Sequence, residues 1–133
     1  MQKGFATAFA MNGSAAIHDF EIAMAGCTSE DVEAVLPDGR FGFSEETGRH
    51  MNESICEGDR DSLGTGEAYG RKLEIIADAR FAPYSLLLGA YRASTPVTVH
   101  VAVGTDTTHT HPSASGSAIG AGGAGRPGWS GPW

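Results

Sequence analysis

Apolar and polar positions change period several times along this chain, and the changes mark out its elements. Phe5 to Met11 is an apolar run of strand length that stops at Asn12-Gly13-Ser14, a turn signal. Beyond it, Ala16, Ile17, Phe20, Ile22, Ala23 and Met24 recur at roughly helical spacing, with Asp19 and Glu21 between them. The first unit is therefore strand, small-residue turn, helix. A second helix is expected over Ser29 to Leu36, with Thr28 or Ser29 as N-cap and Glu30 and Asp31 in the first turn, where the helix dipole favours acids. Pro37-Asp38-Gly39 stops it.

A third helix starts in the same way at Ser44, with Glu45 and Glu46 behind it. Met51 and Ile55 supply its apolar face, extended by His50 and Cys56, and Gly58 is expected to end it. From Gly66 a fourth helix places Ala68, Tyr69, Leu73, Ile76 and Ala77 on one side, with Glu67 and Arg71 as an i,i+4 pair on the other. Pro83 closes that segment. Ser85 caps a short, nearly continuous apolar helix over Leu86 to Arg92. Pro96 then introduces Val97-Thr-Val-His-Val-Ala-Val103, whose valines share one face and whose Thr98, His100 and Ala102 leave the other face uncharged as well. A strand without charge on either face is expected to be interior and parallel. Strands at both ends with helices between them predict an α/β fold with a right-handed crossover.

Composition sharpens this picture in two places. The chain has 133 residues, 9 Lys and Arg against 16 Asp and Glu, and a net charge of −7, with no basic run. Phosphate-backbone binding needs clustered Lys and Arg, so nucleic acid is not an expected partner. Fifteen of the acids lie between Asp19 and Asp78, which leaves the far end almost without charge. Seven of the 19 glycines fall in the last 18 residues, where no apolar period survives. Residues 121–133, rich in Gly, Pro and Trp, are accordingly expected to be a disordered tail on a domain spanning 1–120. Cys27 and Cys56 are too few for a disulfide scaffold and read as reduced thiols in a cytoplasmic protein. Ala23-Met-Ala-Gly26 mimics a signal-cleavage site, but His18, Asp19 and Glu21 interrupt the apolar stretch such a signal needs. No run approaches the roughly 20 residues of a membrane span.

Candidate chemistry gathers at the strand ends. In open α/β sheets, ligands sit beyond the carboxyl ends of the strands. Here those ends are Asn12-Gly13-Ser14-Ala15-Ala16 and Gly104-Thr105-Asp106. Small residues let a ligand approach the backbone, and a following helix offers free N–H groups to an anion. His109 and His111 follow Asp106 directly. Together with Asp106 they could supply metal ligands for a small hydrolase, though a histidine-rich loop equally serves to hold substrate or pack against a partner. His18 and Asp19 form the other possible acid–base pair, provided that they sit in the first turn of their helix.

Two blocks carry a family resemblance. Thr7-Ala-Phe-Ala-Met-Asn-Gly-Ser-Ala-Ala-Ile-His-Asp-Phe-Glu-Ile-Ala23 resembles the strand, small-residue loop and acidic helix start of deoxyhypusine synthase and its bacterial deoxyhypusine-synthase-like relatives. Thr95-Pro-Val-Thr-Val-His-Val-Ala-Val-Gly-Thr-Asp106, with His109-Thr-His-Pro112 and Gly120, resembles a later strand and its ligand-facing turn. The resemblance implies a Rossmann-like, NAD-binding parallel sheet with flanking helices, in an oligomer. It also implies transfer of the aminobutyl group of spermidine, a polyamine, through an imine on a lysine. It places Asn12, Gly13, Ser14, Ala15 and Asp106 beside the NAD cofactor and His18, Asp19, His109 and His111 near substrate, with no metal. Catalytic residues are not assigned.

Departures from the family pattern set a further expectation. The catalytic lysine segment has no counterpart here, and Lys3 and Lys72 match no catalytic position. Ser14 and Ala15 stand where relatives more often carry Ala-Gly or Gly-Gly, and Thr107 and Thr108 where they more often carry isoleucine. The chain is thus expected to be a fragment of a cytoplasmic, NAD-dependent aminobutyl transferase, inactive alone. The alternatives are the Asp106/His109/His111 metal hydrolase and a non-catalytic domain that oligomerises through its uncharged strand edges.

Overall fold

A computed structural model describes residues 5–29, 37 and 44–123. The helix expected over Ser29 to Leu36 lies, beyond Ser29, outside the described residues, as do Lys3 and the tail from residue 124. The elements are β1 (Phe9–Asn12), α1 (Gly13–Ala25), α2 (Glu45–Arg60), α3 (Thr65–Ile76), α4 (Leu86–Arg92), β2 (Val97–His100) and α5 (Gly116–Gly123). Single 3₁₀ turns occupy Ala82–Tyr84 and Thr107–Thr110.

The fold is mixed α/β, and β1 and β2 pair in parallel, Phe9 opposite Val97 and Asn12 opposite His100. Pairing opens with the Phe9 amide donating to the Pro96 carbonyl at 2.9 Å, so β1 starts later than the apolar run from Phe5. Val97 and Val99 face inward and are buried, while Thr98 and His100 are exposed. The expectation of an interior strand therefore fails on one side, because among the described residues no layer covers the outer face. It fails at the far end too. The chain leaves the strand after His100 and turns at Gly104, whose φ of +86° suits glycine. Val103 is left 78% exposed.

Helix α1 follows β1 without an intervening loop. The Asn12 side-chain oxygen accepts from the Ala15 amide at 2.8 Å, so the Asn-Gly-Ser turn signal is a helix cap. At the other end, Gly26 takes the left-handed conformation and donates to the Ile22 carbonyl. The inner stripe of α1, Ala16, Phe20 and Ala23, is fully buried. Phe20 meets Tyr69 of α3 edge-on, with ring centroids 5.7 Å apart.

Ser44 caps α2, its hydroxyl accepting from the Thr47 amide, and Met51 and Ile55 are buried as the periodicity predicts. Gly58 does not end this helix. A Cβ there would lie 2.7 Å from the Ala68 Cβ, so the glycine lets α2 and α3 close together while the helix runs on to Arg60. Gly66, one residue inside α3, plays the same part against the Val97 carbonyl. Arg71 reaches Asp61, just past the end of α2, at 2.6 Å. Helix α4 spans the expected Leu86–Arg92, capped by the Ser85 hydroxyl, with Leu87, Leu88 and Ala90 buried. Helix α5 has no counterpart in the predicted elements. It buries Ala118 and Ile119 and carries regular structure to Gly123, past the expected domain end at 120. No described helix is long and apolar enough to cross a membrane.

Candidate functional site

The carboxyl ends of β1 and β2 open side by side, because the pairing is parallel and ends at Asn12 and His100. A small cavity of about 50 Å³ lies there, lined by Ser14, Ile17, His18 and Glu21 of α1, by Ser29, and by Thr105, Asp106 and Thr107. Helical spacing brings Ser14, His18 and Glu21 to one side of α1. The loop after β2 supplies the opposite wall. In that loop the amides of Thr105 and Asp106 both donate to the Ala102 carbonyl at 3.0 Å, and the Ala102 amide donates back to Asp106 Oδ2 at 2.9 Å.

This closed loop aims the Asp106 carboxylate at the start of α1. A methyl group on Gly13 would overlap Asp106 Oδ2, so the glycine is what admits the carboxylate. Asp106 also acts on the layer below. Burial holds the Tyr69 hydroxyl above the ordinary tyrosine range, and the Asp106 charge raises it further.

Glu21 is the residue that sequence reasoning passed over. It is only 4% exposed, yet it lines this cavity and two larger clefts beside it. Ser29 donates to it twice, through its amide at 2.9 Å and its hydroxyl at 2.6 Å, and the Thr47 hydroxyl donates at 3.0 Å. Three donors make the buried carboxylate tolerable, and among the described residues none of them is a cation. Glu21 reads as an ordinary polar position of an amphipathic helix. The donors that make it special come from Ser29 and from the first turn of α2, which no local pattern predicts.

One larger cleft, of about 360 Å³, runs from Glu21 along Glu45, Thr47 and Gly48 to Thr107, Thr108 and His111. The Ser113 amide donates to His111 Nδ1 at 3.1 Å. That fixes the ring proton on Nε2, which faces the Glu45 carboxylate at 3.9 Å. The other cleft, about 410 Å³, is lined by Met24, Cys27, Glu46, His50 and Ile76 among others. There Glu46 is held below the ordinary glutamate range, first by its own backbone amide and then by the Ser44 hydroxyl.

The predicted site residues thus separate. Ser14, His18 and Asp106 share the strand-end cavity, Gly13 adjoins it, and Asn12 caps α1. Ala15 is exposed beyond the cavity. Asp19 is engaged elsewhere: Ser85 Oγ donates to it at 2.6 Å, and the Leu86 and Leu87 amides at 2.7 and 3.1 Å. It ties α1 to the first turn of α4. His109 sits in the 3₁₀ turn with a buried Nδ1 that makes no hydrogen bond among the described residues. His111 belongs to the neighbouring cleft. Asn52 of α2 holds that turn in place, donating to the carbonyls of Gly48 and Thr108 at 2.8 Å each.

Among the described residues no group of three or more His, Cys, Asp or Glu could hold a metal ion; His109 lies in the 3₁₀ turn, His111 lines the cleft beside Glu45, and Asp106 lies against Gly13. NAD, the cofactor implied by the resemblance, meets an obstacle at this end: the Asp106 carboxylate fills the space beside Gly13 at the start of α1, and its charge opposes that of a phosphate there. The described residues therefore do not fit the dinucleotide at α1. No family model, curated protein or solved structure matches this chain.

Proposed function

We propose that this chain is part of a deoxyhypusine-synthase-like aminobutyl transferase, a piece of a Rossmann-like sheet whose own contribution is to bind and orient a polyamine such as spermidine. The observation that carries the reading is the strand-end cavity. Two carboxylates, Glu21 and Asp106, and the imidazole of His18 line it, with no Lys or Arg among the described lining residues. Such a wall attracts an ammonium group and disfavours an anion. The adjoining clefts, walled by apolar atoms of Met24, Ile76 and Pro112, suit the methylene chain between two amines.

Within this reading, Asp106 and Glu21 hold charged nitrogen, and His18 completes the same wall. Lys72, the only described lysine, bridges Glu53 and Glu57 at 3.2 and 3.3 Å on the α2–α3 face and so offers no imine-forming amine to this cavity. Association with further copies of the chain belongs to the same proposal. It is supported by the uncharged outer face of β1 and β2, which parallel sheets usually cover.

Isothermal titration with spermidine tests the reading. Saturable binding that weakens about tenfold or more in Glu21→Gln is expected, one tenfold step being about 1.4 kcal/mol. Equal binding of spermidine and of magnesium at matched ionic strength would reduce the site to nonspecific acidity and overturn it.

A further inference from the structure

We propose that Asp106 is a built-in anion that closes the start of α1 to phosphate groups and so restricts the strand-end cavity to cationic and neutral ligands. A helix following a parallel strand ordinarily offers its first N–H groups to a ligand anion. Here two of the chain's own groups intervene. The Asn12 side-chain oxygen already accepts from the Ala15 amide. The Asp106 carboxylate fills the space beside Gly13 that any larger side chain would need.

The carboxylate is held there by backbone. The Ala102 amide grips Oδ2, the Thr105 and Asp106 amides share the Ala102 carbonyl, and Gly104 supplies the left-handed turn that closes the loop. A phosphate arriving at α1 would have to displace a fixed like charge. The inference goes beyond the proposed function, because exclusion of an anion by Asp106 stands whether or not an amine is bound.

The test uses inorganic pyrophosphate at low salt, followed through the backbone amide resonances of Ser14 and Ala15. Asp106→Asn removes the charge and retains an oxygen able to accept from the Ala102 amide. Asp106→Ser is the second variant, and circular dichroism confirms which variants fold. The expected result is no saturable shift in the unsubstituted protein. A folded variant should instead give saturable binding at least about tenfold tighter than the limit set for the unsubstituted chain. Millimolar or tighter pyrophosphate binding at Ser14 and Ala15 with Asp106 intact would overturn the proposal, as would a folded variant that gains no binding. The first of these readouts requires no variant to fold, and neither responds to spermidine affinity, so failure here and failure of the polyamine reading are separate results.

Discussion

The two faces of the β1–β2 pair are built from alternate residues of the same short strands and do opposite things. Inward, Val97 and Val99 join the buried cluster that holds Phe20, Tyr69, Leu73, Leu87 and Leu88, all essentially without solvent contact. Outward, Ala10, Asn12, Thr98 and His100 are exposed and uncharged. The inner face places the strand ends and hence the cavity. The outer face adds no packing among the described residues. Stability and site geometry should therefore depend on one face and nearly ignore the other.

The largest expected effect comes from breaking the inner face. Phe20→Ala removes the ring that meets Tyr69 edge-on and should cost about 3–5 kcal/mol in urea unfolding. A loss below about 1 kcal/mol would mean that the helices hold together without the α1 stripe. An intermediate effect is expected at the tie between α1 and α4. Asp19→Ala strands the Ser85 hydroxyl and two amides and should cost about 1–3 kcal/mol, leaving spermidine affinity within about twofold. A large loss of affinity at constant stability would return Asp19 to the site. The smallest effect belongs to the outer face. Thr98→Lys should change monomer stability by no more than about 0.5 kcal/mol. The same substitution should lower the molar mass seen by light scattering if copies associate there. A destabilisation of several kcal/mol would show that the outer face is covered within the chain.

How much of this was legible in the sequence follows from how local each signal is. Ser85 with Leu86–Arg92, and Ser44 with Glu45 and Glu46, place helix starts correctly because cap, dipole and apolar run act within one turn. The parallel pairing also follows, since both strands were visible and the stretch between them is helical. Gly58 misled, because a glycine that stops a helix and one that lets a neighbouring helix approach are the same residue until Ala68 is known to face it. Helix α5 was hidden by its glycines, which lower intrinsic helix propensity, whereas Ala118 and Ile119 anchor it by tertiary burial. At the site, Ser14, His18 and Asp106 were legible because strand ends are where ligands collect. The donors around Glu21 and the carboxylate against Gly13 were not, since both depend on segments that meet only when the chain has folded.

Asn12 closes β1 in register with His100 and, one atom group away, opens α1 by accepting from Ala15. These two duties check one another. A slip of one residue in the pairing would turn the inward-facing valines of β2 toward solvent and carry a residue other than Asn12 opposite His100, so the capped helix would no longer begin where the strand ends. Strand alignment and helix initiation thus meet at one residue, so the point where the sheet ends is also the point where α1 begins.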